Sequence, residues 1–115
     1  MTYKATKIVI ITEKLIAAGV VKIIEECGGT GYTMVAAGGK GSRGVRAFER
    51  AAVVDAFSNV KIDVICAEVE TAHRIADAVA AAYFQNYSGI TYLEPVEILR
   101  PHKFIAVPED GSEEQ

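Results

Sequence analysis

The 115-residue sequence predicts a single α+β domain with strands and helices in the order β-α-β-β-α-β. Three observations predict it. A β-branched run lies near the N-terminus, two segments carry apolar residues at helical spacing, and one segment alternates apolar and polar residues. A long glycine-rich stretch separates two similar halves. Such halves predict the ferredoxin-like split pattern, a four-stranded antiparallel sheet with both helices on one face.

The first half of the chain is predicted to form a strand, a helix and a second strand. Residues 5–12 are continuous and β-branched, which is typical of a strand buried on both faces. We expect Thr12 to cap the following helix and Glu13 to complement its positive end. The glycines at 28–29 are expected to end this helix, and residues 32–37 to form the second strand. The predicted buried stripe of the helix is Ile16, Val20, Ile23, Ile24 and Cys27.

The second half repeats this order. Residues 58–67 alternate in polarity and predict a half-buried strand, residues 70–86 a helix, and residues 90–99 a last strand. Pro95 should lie at a sheet edge or a bulge, because proline cannot donate to the ladder. Since both helices cover one face, we expect a homo-oligomer to bury the other face. The predicted inward residues are Val60, Ile62, Val64 and Cys66 on the strand and Ile75, Val79, Ala82 and Tyr83 on the helix.

Composition limits the classes of function. The net charge of −3 and the pI near 5.4 argue against nucleic-acid binding. The apolar run at 8–11 is too short for a signal peptide, and no stretch has the length of a membrane span, so we expect a cytoplasmic protein without membrane insertion. Cys27 and Cys66 are expected to be reduced. With His73 and His102 they form no metal-ligand spacing, so no metal site is predicted.

Residues 38–46, Gly-Gly-Lys-Gly-Ser-Arg-Gly-Val-Arg, are the principal candidate for binding. Glycine backbone can approach a ligand closely, while the cations and the hydroxyl suit a phosphate. No carboxylate occurs between Glu26 and Glu49, so the cations have no partner nearby in sequence. A solvated hairpin loop is the alternative. The candidate phosphate-binding residues are Lys40, Gly41, Ser42, Arg43 and Arg46.

Two nucleotide motifs fit this stretch poorly. Residues 39–44 satisfy G-x-G-x-x-G, and Asp63 lies near the spacing of a ribose-binding acid, but that fingerprint needs a parallel sheet. The Walker pattern fails because Gly41 follows Lys40. Residues 48–57 fit a helix or a strand, and we treat 38–56 as a long loop between paired strands.

Residues 87–90, Tyr-Ser-Gly-Ile, are the second candidate. A glycine before a strand exposes backbone groups that can hydrogen-bond a nucleobase, and an ordinary turn is the alternative. This interpretation selects Ser88, Gly89 and Ile90. His73 is expected at the surface or at an interface, and no arrangement of side chains predicts a catalytic residue.

Together these segments resemble the SbtB family of PII-like proteins, which regulate the cyanobacterial bicarbonate transporter. The resemblance covers residues 7–104 and is carried by five stretches. They are Val-Ile-Ile-Thr-Glu-Lys at 9–14, Gly-Tyr-Thr at 31–33, Gly-Gly-Lys-Gly-Ser-Arg at 38–43, Val-Arg at 45–46 and Tyr-Ser-Gly-Ile at 87–90.

The resemblance implies a homotrimer that binds cAMP, AMP, ADP and ATP in clefts between subunits, with a divalent metal only together with ATP. Residues 1–107 would form the PII-like domain, 38–56 its T-loop, and 108–115 an acidic flexible tail. Lys40 to Arg46 would hold phosphates and the residues around Gly89 the adenine. The T-loop would dock on an SbtA-type sodium-dependent bicarbonate transporter and so recruit the protein to the inner membrane.

The sequence also departs from relatives of this family. Residues 104–110 lack the cysteine pair of some members, so redox control there is not expected. Residues 48–57 lack the tyrosine that ordinary PII proteins modify. Two rival functions remain: a slow nucleotide hydrolase that uses the same pocket with a metal, and a structural trimer resembling the CutA-type metal-tolerance proteins.

Overall fold

Strand β1 (Tyr3–Glu13) organises the sheet, because it pairs with a different strand on each side. The computed structural model describes residues 1–38 and 58–99. All pairings are antiparallel, and the strand order β2-β3-β1-β4 with two helices confirms the predicted ferredoxin-like fold. The other elements are a 3-10 turn (Lys14–Ile16), α1 (Ala17–Glu26), β2 (Thr33–Ala37), β3 (Asn59–Cys66), α2 (Val69–Tyr83) and β4 (Gly89–Ile98).

The core lies between one face of the sheet and both helices. Ile8 and Ile10 of β1 are opposite Val64 and Ile62 of β3, and none of the four side chains is exposed. Fully burying such a side chain contributes about 1.5–3 kcal/mol. The predicted alternation of β3 is confirmed. The helices add Val20, Ile24, Ala72, Ile75 and Val79, all with no exposed surface.

The predicted start of the first helix is wrong. Thr12 belongs to β1, and neither the 3-10 turn nor α1 has a side-chain cap at its first residue. The hydroxyl of Thr12 instead donates to the carbonyl of Ser88 at 2.8 Å, and the Glu13 carboxylate accepts from the backbone of the same residue. A partner distant in sequence therefore takes the groups that would have capped the helix.

The predicted glycine stop of α1 is confirmed. Gly28 has φ +101°, a conformation that a Cβ disfavours. Its N–H donates to Glu25 O at 3.2 Å, and the N–H of Gly29 donates to Ile24 O at 2.8 Å. These two bonds form a Schellman motif, which satisfies carbonyls left open at the helix end.

The second helix is shorter than predicted and faces the core differently. It ends at Tyr83, whose carbonyl accepts the N–H of Tyr87 at 2.9 Å and begins the turn toward β4. Ala82, predicted inside, is exposed, whereas Ala72 is fully buried. With Ile75 and Val79, Ala72 completes a regular i, i+3, i+7 stripe. Tyr83 packs against the core as predicted.

The opposite face of the sheet is open in the single chain. It carries exposed apolar side chains on both edge strands: Val35 of β2 is 50% exposed, and Ile90 and Tyr92 of β4 are 58% and 40% exposed. A single ion pair, Lys7 with Glu94 at 3.4 Å, is found among the described residues. Pro95 lies on β4, which confirms the predicted edge position.

The cysteines form no disulfide. Cys27 is half-buried and Cys66 is buried. Burial raises the pKa of the Cys66 thiol above its ordinary value, so this thiol stays protonated at neutral pH. Within residues 1–38 and 58–99, no helix has the length and apolar character needed to cross a bilayer.

Two threonines on the helix-covered face of the sheet give a matched test of the Thr12 hydrogen bond. Replacing Thr12 by Val removes the donor to Ser88 O and leaves the volume and β-propensity nearly unchanged. We expect a loss of about 1–2 kcal/mol in the free energy of unfolding, measured by urea denaturation.

Thr91→Val is the control, because the Thr91 hydroxyl is buried with no hydrogen-bond partner in the described part of the chain. This change should be neutral or stabilising, since it removes an unsatisfied polar group. Equal losses for the two variants would contradict the role given to Thr12.

Candidate nucleotide-binding site

The end of β2, which precedes the stretch 38–46 in sequence, and the turn at 87–90 lie at the same edge of the sheet. Here β1 ends at Glu13 and β2 at Ala37, while β3 begins at Asn59 and β4 at Gly89. The register aligns these ends, because Asn59 is opposite both Ala37 and Glu13, and Gly89 is opposite Thr12. We call this end of the sheet, where the strands begin or end, the loop edge; it is distinct from the edge strands β2 and β4.

The turn before β4 is fixed to β1 through the backbone of Ser88. The Thr12 hydroxyl donates to Ser88 O at 2.8 Å, and the Ser88 N–H donates to Glu13 Oε2 at 2.9 Å. The Ser88 hydroxyl also lies 3.5 Å from Glu13 Oε2. The N–H of Ser88 is therefore occupied within the chain, and its carbonyl already accepts one bond, so a ligand at this turn has only the second lone pair of that carbonyl or other groups to use.

The side chains around position 89 leave no space for a residue larger than glycine unless they move. A Cβ at this position would lie 2.6 Å and 2.8 Å from ring carbons of Phe84 and 2.9 Å from Thr12 Oγ1. These distances are shorter than van der Waals contact, so any larger residue would have to displace the Phe84 ring, the Thr12 side chain or the turn itself. Gly89 is nevertheless exposed to solvent, and its backbone can be approached closely from outside.

The chain re-enters the sheet beside this turn. The backbone N–H of Lys14 donates to Ser58 O at 2.7 Å, which fixes the residue before β3 to the residue after β1. Thr12, Glu13 and Lys14 thus make consecutive contacts to the β4 turn and to the start of β3. The sequence analysis did not select them as binding residues. It assigned Thr12 and Glu13 to the start of a helix, and all three belong to the stretch 9–14 that carries the family resemblance.

Of the predicted binding residues, Ser88, Gly89 and Ile90 lie together at the loop edge, with Gly89 and Ile90 exposed. The side chain of Ile90 is on the open face of the sheet, where it neighbours Ile11. The predicted phosphate-binding residues Lys40, Gly41, Ser42, Arg43 and Arg46 lie outside the described residues, as do the T-loop assignment and the acidic tail.

The rejected dinucleotide motif finds no support in the fold. Asp63 lies inside β3, opposite Val9 and Thr33, in an all-antiparallel sheet. His73 is exposed on α2, as predicted. Over the described ranges, no three His, Cys, Asp or Glu side chains group closely enough to hold a metal ion.

Comparisons with known proteins give the family. The sequence model of the family named nitrogen regulatory protein P-II matches residues 5–103. TTHA0516, a PII-like protein of Thermus thermophilus, is 30% identical, with a TM-score of 0.72 over 90% of this chain and 98% of that chain.

CPII from Thiomonas intermedia K12 is also similar. Its structure bound to ADP and bicarbonate is 26% identical, with a TM-score of 0.73 over 91% of this chain and 98% of that chain. Its complex with ADP, AMP and acetate aligns at 22% identity and a TM-score of 0.73, covering 90% of this chain and 97% of that chain, and shows likeness of fold. Both the match over residues 5–103 and the shared fold lead to one conclusion: this chain belongs to the nitrogen regulatory protein P-II family of signalling proteins.

Proposed function

We propose that this protein is an SbtB-type sensor that binds cAMP, AMP, ADP and ATP at the loop edge and regulates a sodium-dependent bicarbonate transporter. The observation that carries the proposal is the common position of two segments. The turn with Ser88, Gly89 and Ile90 and the point where β2 leads into the glycine-cation stretch adjoin one edge of the sheet. The 26% identical CPII, solved with ADP and bicarbonate, supports an adenine nucleotide as the ligand class.

Each segment has a chemical role in this proposal. The turn would hold the adenine against exposed backbone at Gly89, while Lys40, Ser42, Arg43 and Arg46, with the Gly41 amide, would hold the phosphates. Arg46 or Arg43 supplies a planar donor fork for phosphate, and Lys40 a point charge.

We further propose that the site is completed between subunits of a homotrimer. The segments adjoin opposite edge strands, β2 and β4, so within one chain they are separated by three strand spacings, roughly 14 Å. A neighbouring subunit that brings its β4 edge beside β2 would close this gap. Trimers are typical of PII homologues, and the exposed Val35, Ile90 and Tyr92 give the open face an apolar surface to bury.

The output of the sensor would be the state of the T-loop. A ligand can shift the equilibrium between two conformations of the T-loop only by as much as its affinities for those two conformations differ. A monophosphate and a triphosphate present different charge to the same cations, which provides opposite outputs from one site. The SbtA-type transporter as partner, and recruitment of a cytoplasmic protein to the inner membrane, follow from the resemblance to SbtB. A divalent metal would enter only together with ATP.

The first test is calorimetric titration with cAMP, AMP, ADP and ATP, with and without Mg²⁺. We expect saturable binding near one site per chain. Arg46→Ala should weaken the phosphorylated ligands by about 1.5–3 kcal/mol, the scale of a charge-assisted hydrogen bond. Lys22→Ala, which removes an exposed cation on α1, should leave affinity unchanged. Absence of binding by every nucleotide would refute the proposed site.

The second test is oligomeric state. Light scattering should give three times the 12.3-kDa mass of the chain. Tyr92→Asp should lower this mass, because a trimer interface on the open face would bury the new charge. Val69→Asp is the control, since Val69 is 44% exposed at the start of α2, on the helix-covered side of the sheet. A monomeric wild type, or an unchanged mass for Tyr92→Asp, would contradict the proposal.

The third test addresses the partner. Tagged protein should retain the SbtA-type transporter from detergent-solubilised membranes, and the retained amount should differ between AMP and ATP. The difference should disappear in Arg46→Ala and persist in Lys22→Ala, because only the former alters the proposed phosphate contacts. If the tagged protein retained the same amount of transporter with every ligand, nucleotide binding could still stand, but the proposed nucleotide-dependent regulation of the transporter would be wrong.

A further inference from the structure

Three consecutive residues connect the β4 turn with the start of β3. Thr12 donates its hydroxyl to Ser88 O, and Glu13 accepts the Ser88 N–H. Lys14 donates its backbone N–H to Ser58 O. We call Thr12, Glu13 and Lys14 the bridge. Its two ends contact segments 30 positions apart in sequence: the turn at Ser88, which belongs to the proposed nucleotide site, and Ser58, which lies two residues after the proposed T-loop (38–56).

We propose that Glu13 is a positioning residue that couples the turn at Ser88–Gly89 to the point where the chain re-enters the sheet at Ser58. The inference rests on the proposed function for its biological meaning. The coupling itself is inferred from the hydrogen bonds that the bridge makes to Ser88 and Ser58. Through it, contact of a ligand with the turn would influence the loop at its C-terminal end, in addition to any contact with Lys40 to Arg46.

Glu13 is suited to this role because its bond to Ser88 is charge-assisted. A carboxylate accepting a backbone N–H at 2.9 Å makes a stronger contact than a neutral pair. With Ser88 O taken by Thr12, the turn is held at both of its backbone groups. It cannot shift without moving the end of β1 or breaking one of these bonds.

The packing leaves little room to absorb such a shift. Gly89 lies so close to Thr12 Oγ1 and Phe84 that no Cβ fits between them. Close-packed groups transmit displacement to their neighbours. On the other side of Glu13, Lys14 begins the 3-10 turn, and its carbonyl accepts the N–H of Ala17. A movement of Glu13 is therefore passed to Lys14, whose N–H holds Ser58.

The coupling can be measured without any nucleotide by amide hydrogen exchange in the NMR spectrum. In Glu13→Ala we expect exchange to accelerate at least about tenfold at Ser88, the size of a lost charge-assisted hydrogen bond. Exchange at the Lys14 amide, whose acceptor is Ser58 O, should accelerate as well. Glu13→Gln retains an acceptor oxygen and should restore most of the protection at both amides.

Two comparisons separate coupling from general destabilisation. Amides of the core strand β3 should keep their protection in Glu13→Ala, because only local opening is expected. Glu26→Ala removes an exposed carboxylate on α1 and should change neither amide. Faster exchange at Ser88 alone, with Lys14 unchanged, would overturn the coupling. If Glu13→Ala does not fold, the same comparison is made with Thr12→Val and Glu13→Gln.

The link to function is tested with AMP and ATP. Trypsin cleavage after Arg50 reports on the loop, and calorimetry reports on binding. At nucleotide concentrations that calorimetry shows to be saturating for each variant, Glu13→Ala should lose most of the ligand-dependent change in cleavage, while Glu13→Gln retains it. Unchanged cleavage behaviour in Glu13→Ala would overturn the inference with the proposed function intact. If the wild type binds no nucleotide, the proposed function fails, and exchange at Lys14 still decides the coupling.

Discussion

The pairing of β1 with both β3 and β4 is the constraint on which the rest of the structure depends. It places Ile8 and Ile10 at the centre of the core, opposite β3 residues that are equally buried. It also brings the start of β3 and the start of β4 to the end of one strand. Because β1 is central, its C-terminal residues are the only ones adjacent to both neighbouring segments in the described part of the chain. The same strand pairing therefore builds the core and brings the loop edge together.

The regular elements could be predicted because their signals are local. The alternation in β3 and the helical stripe with Ile75 and Val79 depend only on which face meets the core. The failures have long-range causes. A threonine after an apolar run suits a helix cap and the last residue of a strand equally well, and Ser88, 76 positions away, decided between them. Ala82 and Ala72 have identical side chains, so only the rotation of the helix distinguishes them.

The candidate site was predictable in the same uneven way. A glycine before a strand drew attention to Gly89, but its steric requirement comes from Phe84 and Thr12, whose proximity no pattern reveals. Ser88 was selected for its exposed backbone, yet both of its backbone groups are bonded to β1. Glu13 was assigned to a helix end and instead holds the turn. Local sequence identifies which segment can meet a ligand, whereas the partners that fix its shape come from the fold.

The occupied backbone of Ser88 also bears on how one site could distinguish nucleotides. The Glu13 carboxylate introduces a negative charge at the edge where phosphates are proposed to bind, and its contacts to the Ser88 N–H and hydroxyl offset part of that charge. Repulsion between this carboxylate and a ligand grows with the number of phosphates. In the proposed site, the cations at 40, 43 and 46 would therefore have to offset more charge for ATP than for AMP. A loop that supplies those cations would then be held more strongly by ATP, while the proposed adenine contact at Gly89 would be the same for both ligands, so discrimination would arise in the loop and not at the base.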